Sequence, residues 1–142
     1  MEVIKLQQLQ VLKAHAQLKH MIYKLQAART DSNKDVDDII AYRDSLIKRF
    51  EISYDLTWKF LKSYLEKKYG ISIASPKKVF QECFKQAITN ETETRLLLDM
   101  ADDRNSTTHT YNEALADDIS LHISDYYNVI SEIVAKITIS SQ

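Results

Sequence analysis

Apolar residues recur at helical spacing almost from one end of this chain to the other. Ile4, Val11, Leu18 and Leu25 fall seven apart, with Leu12, Ile22 and Ala28 widening the stripe and Lys5, Lys13, Lys19 and Lys24 mostly outside it. This pattern predicts an amphipathic helix over residues 2–29. The polar segment Thr30 to Asp35 follows, and Ser32 with Asp35 has the spacing of a capping box from which a second helix starts. Its apolar positions are Val36, Ile39, Ile40, Leu46, Ile47, Phe50, Tyr54, Trp58, Leu61 and Leu65, and it ends at Gly70, the one glycine available as a left-handed cap. At about 1.5 Å per residue this helix is about 50 Å long and sets the length of the molecule.

Ser75 and Pro76 read as the cap and first position of a third, shorter helix. It is expected to run to about Ile88 with Val79, Phe80, Phe84 and Ala87 inward. Asn90 with Glu93 makes another capping arrangement, and Leu96, Leu97 and Met100 form the apolar face of a fourth helix approaching Asp102 to Asn105. Leu115, Ile119, Ile123, Tyr126, Ile130, Ile133 and Ile137 mark a last helix, followed by a frayed Ser140–Gln142 tail. The fold class is all-α: a single domain, residues 1–142, forming an antiparallel up-and-down bundle of four long helices plus one shorter helix.

Composition narrows the picture further. One Gly and one Pro in 142 residues leave little material for the turns of a sheet fold. With 19 Lys plus Arg against 20 Asp plus Glu, the net charge of −1 supplies no global attraction to nucleic acid or membrane. Cys83 stands alone, so it reads as an apolar filler of a helix rather than part of a disulfide or zinc site. His15 and His20 lie on the first helix without a second pair of ligands and read as structural or solvated. No apolar run approaches a membrane span and no leader core is present, which predicts a soluble, cytoplasmic protein.

The stretch from Asp102 to Tyr111 interrupts the apolar pattern with charged and hydroxyl side chains. Ser106, Thr107 and Thr108 disfavour helix, so the stretch is expected to be a surface junction shaped by caps from Asn105, Ser106, Thr108 or Thr110. A change of chain direction there brings Arg104 and His109 together. Arg offers a forked, permanent cation for phosphate oxygens, and His exchanges a proton near neutral pH. That pair is the minimum kit for metal-free cleavage of RNA, and a symmetric dimer supplies the second His that the two proton transfers need. Asp99, Asp102 and Asp103 do not make a dedicated metal site, because Asp102 can pair with a basic neighbour. Lys77 and Lys78 are candidates for an RNA path or an ordinary solvated pair. Phe50 to Lys62 is aromatic on its core face, while Glu51, Asp55, Lys59 and Lys62 read as a solvated face.

Arg104, four intervening residues, His109, one residue and Tyr111 resemble the signature of HEPN proteins, specifically the HepT toxins and the nucleotidyltransferase substrate-binding proteins. Phe50-Glu51 through Trp58-Lys59, Ser75-Pro76 and Leu98-Asp99-Met100 through Tyr111 are similar in type and order, so the resemblance covers roughly residues 40–130. It implies a helical bundle that forms a homodimer with its signature residues at the interface, partnered by a minimal nucleotidyltransferase. In the toxin branch it implies an RNase acting on RNA such as tRNA, silenced by AMP transfer to the signature tyrosine. Arg104 and His109 are then catalytic, Asn105 supports them, Tyr111 is the modified residue, and no cofactor is required. In the non-enzymatic reading the same surface holds a nucleotide or other substrate for the partner. The partner is needed because this chain has no Gly-Ser motif with paired aspartates. A third reading is a bundle whose junction is only a capped loop.

Overall fold

The heptad stripe of the first segment folds as α1 (Glu2–Thr30), with Ile4, Val11, Leu18, Leu25 and Ala28 buried along one edge. Leu12, expected in that stripe, is exposed because Ala14 and His15 turn to the core instead. The computed structural model describes residues 2–109 and 111–137 and continues with α2 (Val36–Tyr69), α3 (Pro76–Lys85), α4 (Glu91–His109) and α5 (Glu113–Lys136). The expected tail, Ser140–Gln142, and the candidate cap Thr110 lie outside the described residues.

Each boundary has a local cause. Asp35, not a Ser32 box, caps α2: its carboxylate accepts from the Asp37 N–H, while Ser32 sits in the turn that reverses the chain. Val36 is exposed because the first turn of α2 extends past the packed core. Gly70 ends α2 at φ 69°, its N–H bonded to the Glu66 carbonyl. Pro76 opens α3, which stops at Lys85 rather than near Ile88, and Ala87 takes the left-handed conformation at φ 59°. Val79, Phe80 and Cys83 fill the core side of α3, so Phe84 and Ala87 are exposed. Asn90 and Glu93 exchange reciprocal bonds of 2.9 and 2.8 Å at the start of α4.

Cross-helix pairs give the directions. Gln17 meets Arg49 and His15 faces Ser53, so α1 and α2 run antiparallel. Asp103 meets His122 and Glu93 meets Lys136, so α4 and α5 do too. The long helices therefore run up, down, up, down, with α3 bridging α2 to α4, and α2 touches every other helix. Its aromatic face is the core: Phe50 and Phe60 are fully buried, as is Phe80 of α3, Phe50 lies 5.7 Å from Tyr126 between ring centres, and Tyr54 lies 6.2 Å from Phe80. Trp58 is only partly buried beside it, and Phe60, outside the expected stripe, is buried in full. His15 is structural: stacked on Tyr127, it reaches Ser131 Oγ and the Tyr127 carbonyl through Nε2, and burial lowers its pKa. No described helix is long and apolar enough to cross a membrane.

Candidate functional site

The polar stretch is helix, not junction. α4 continues through His109, and the connection to α5 is confined to residues 110–112. Residues of low helix propensity are carried by their own side chains: Ser106 Oγ donates to the Asp102 carbonyl at 3.0 Å, and Thr107 and Thr108 donate to the Arg104 carbonyl at 2.7 and 3.3 Å. The cap of α5 is Asn112, whose side chain accepts from the Leu115 N–H at 2.9 Å. The chain therefore does not reverse between Arg104 and His109. Five residues on one helix separate them by about 7.5 Å along the axis and about 140° around it.

The two groups are held differently. Arg104 reaches back to α2, where its Nη1 donates to Glu51 Oε2 at 2.9 Å and its Nη2 lies 3.6 Å from Asp55 Oδ2. Thr107 donates to the same Glu51 oxygen at 2.9 Å, and Arg104 Nη1 also donates to Thr108 Oγ1 at 2.7 Å. One positive and two negative groups leave the cluster at −1, with 22% of the Arg104 side chain exposed. Arg104 Nε is enclosed without a hydrogen-bond partner among the described residues. The side chains of His109 and Asn105 are exposed and make no hydrogen bond among the described residues. Glu51 and Asp55, read from sequence as part of a solvated face, thus belong to the site. Their spacing of four on α2 was visible, but the arginine opposite them comes from a helix 49 or more residues away.

Tyr111 lies two residues beyond α4, half exposed, and its hydroxyl donates to Asp44 Oδ1 at 2.7 Å. Partial burial, then Asp44, pushes its pKa up to about 12. Asp44 is gripped by Arg43 at 3.0 Å, and the buried Arg43 also pairs with Glu113 at 2.7 Å and Asp117 at 2.9 Å. Burial opposes the charge of Arg43, and the hydrogen bonds it donates to Asp117, Glu113 and Asp44 outweigh it, so its pKa rises. Asp44 and Glu51 are seven apart on α2, which sets the Tyr111 and Arg104 contacts about 10 Å apart along one face. This set of partners for Tyr111 carried no signal in the sequence beyond the polarity of α2.

The carboxylates next to Arg104 are also engaged. Asp102 forms an ion pair with Lys77 across α3 and α4, as its basic neighbour, which leaves Lys78 exposed and uncommitted among the described residues. Asp103 accepts from Tyr126 and lies 3.0 Å from His122 Nδ1, raising the Tyr126 pKa after burial has done so.

The sequence family described as nucleotidyltransferase substrate binding protein like matches residues 9–138. The chain belongs to this family. A crystal structure of a Thermus thermophilus protein is similar at 33% identity and a TM-score of 0.74, over 89% of this chain and 97% of that one. A tri-AMPylated Shewanella oneidensis HEPN toxin, solved in complex with an MNT antitoxin, matches at 16% identity and a TM-score of 0.67, over 89% and 94% of the two chains. A toxin–antitoxin solved with AMP-PNP also has 16% identity and a TM-score of 0.67, over 90% and 97%. This family member therefore has the HEPN fold, with five helices among the described residues. No curated protein sequence matches it.

Proposed function

We propose that this family member is the HEPN-type subunit of a toxin–antitoxin pair: a metal-independent endoribonuclease formed at a homodimer interface and silenced by AMP transfer to Tyr111 from a partner nucleotidyltransferase. The observation that carries the reading is the guanidinium of Arg104, fixed by Glu51 and Thr108 on the same terminal turns of α4 that present an exposed His109. A guanidinium whose orientation is set in advance suits the charge that builds on phosphorus during RNA cleavage. His109 of one subunit takes the ribose 2′-hydroxyl proton as that oxygen bonds to phosphorus. A second copy's His109 gives a proton to the departing 5′-oxygen, leaving a 2′,3′-cyclic phosphate. The helical separation of Arg104 and His109 supports assembly across two subunits, since one α4 points them to different sides. Tyr111, half exposed just beyond His109, suits a modification that adds a bulky anion beside the active pair.

A second reading is a non-catalytic subunit that holds a nucleotide or other substrate for the partner enzyme. The charge of the Arg104 cluster weighs against RNA cleavage, because two carboxylates already answer the one guanidinium and Lys77 is paired with Asp102. The readings separate when purified protein, with and without Arg104→Ala or His109→Ala, is incubated with tRNA in EDTA. Cleavage by the wild type that both substitutions abolish is the expected result. An inactive wild type, free of AMP by intact mass, would remove the RNase and leave the binding subunit.

A further inference from the structure

The contact between Tyr111 and Asp44 supplies something that AMP transfer to a tyrosine requires. Resting on the modification reading above, we propose that Asp44 is the base that orients the Tyr111 hydroxyl and takes its proton as the tyrosine is adenylylated. Among the described residues Asp44 is the one carboxylate within hydrogen-bond distance of Tyr111 Oη, at 2.7 Å. That distance falls within the reach of a general base.

Asp44 is held in register from behind. Its Oδ1 accepts from Arg43 Nε at 3.2 Å and Nη2 at 3.0 Å, and Arg43 is itself buried and pinned by Glu113 and Asp117. Glu113 and Asp117, from α5, are thus occupied by Arg43, while Lys48 lies exposed one turn further along α2. Arg43 is a positioning residue: it fixes the carboxylate without meeting the tyrosine. A base is needed because Tyr111 is a neutral phenol at neutral pH, with its pKa pushed up to about 12. Tyr111 remains half exposed, so a nucleotide carried on a second protein can approach its oxygen from solvent.

The step balances without an oxidant or reductant. The co-reactant is MgATP carried by the transferase. Tyr111 Oη forms a bond to the α-phosphorus, and its proton passes to the Asp44 carboxylate. The bond from the α-phosphorus to the bridging oxygen breaks, and pyrophosphate leaves with the electron pair. Asp44 then returns the proton to water.

The test follows AMP addition by intact mass for the wild type, Asp44→Asn, Asp44→Ala, Asp44→Glu and Tyr111→Phe, each with MgATP and the partner nucleotidyltransferase, between about pH 6 and about pH 10. Asp44→Asn should slow addition by about 100-fold or more near neutral pH. Its rate should then climb about tenfold per pH unit as tyrosinate forms, whereas the wild type stays nearly flat to about pH 8 and joins that climb only above it. Asp44→Glu should recover part of the rate and the flat profile. Arg43 keeps Glu113 and Asp117 in these variants, and circular dichroism checks the fold; if Asp44→Asn unfolds, Asp44→Ala decides by the same criterion. Wild-type rate and profile in Asp44→Asn or Asp44→Ala, when Tyr111→Phe abolishes addition, overturn the role of Asp44 alone. Addition that persists in Tyr111→Phe, or a wild type that accepts no AMP, overturns the modification reading and this inference with it.

Discussion

Glu51 Oε2 accepts from both Arg104 and Thr107, so one carboxylate on α2 fixes the last two turns of α4. Both partners of the ion pair are about four-fifths shielded, with 22% and 20% side-chain exposure, which reduces the screening that weakens surface pairs. Glu51→Gln should therefore lower stability by roughly 1–2 kcal/mol, read as a fall in the urea midpoint at an unchanged slope. The same substitution raises the local charge by one unit and should strengthen RNA binding at low salt, since one fewer anion opposes the phosphates. At this scale the sequence exposed Arg104, His109 and Tyr111 because they break an apolar pattern. It hid Glu51, Asp55, Asp44 and Arg43, which look like any polar flank of an amphipathic helix until another helix is laid against them.

The helices owe their lengths to signals of one to four residues, which is why most ends were legible. Gly70 and the Asn90–Glu93 box act within their own turn, and both end or begin a helix where the sequence indicates. The errors share a cause. Ser106, Thr107 and Thr108 disfavour helix on their own, yet bonding back to the preceding turn and contact with Glu51 keep α4 helical to His109. Similarly, Ala87 ends the third helical segment at φ 59° without being glycine. Because a Cβ is strained in that conformation, Ala87→Gly should stabilise the protein by about 1 kcal/mol. Gly70→Ala, at φ 69°, should destabilise it by a similar amount, about 1 kcal/mol. Paired thermal melts check both signs.

For the molecule as a whole, α2 is the axis on which the site and the core are both built. Its inner face buries Phe50, Tyr54 and Phe60, and its outer flank presents Asp44, Glu51 and Asp55 to α4 and the segment after it. If the active unit is a dimer that uses both His109 side chains, mixing wild-type and His109→Ala subunits should lower RNA cleavage as the square of the wild-type fraction, because a mixed pair lacks the second histidine. Activity that falls only in proportion to the wild-type fraction after subunit exchange, with mixed dimers verified by mass, would count against a composite site. The sequence by itself determined the all-helical class, the number of helices, most of the buried positions and the Arg104–His109–Tyr111 signature, since periodicity, caps and local motifs act over a few neighbouring residues. Only the tertiary structure decided that Arg104 is answered by Glu51 and Asp55, that Tyr111 is answered by Asp44, and that the terminal turns of α4 stay helical. Those outcomes depend on which flanks of distant helices meet, and one helix's own pattern specifies its buried face far more strongly than the partner of each polar group beside it.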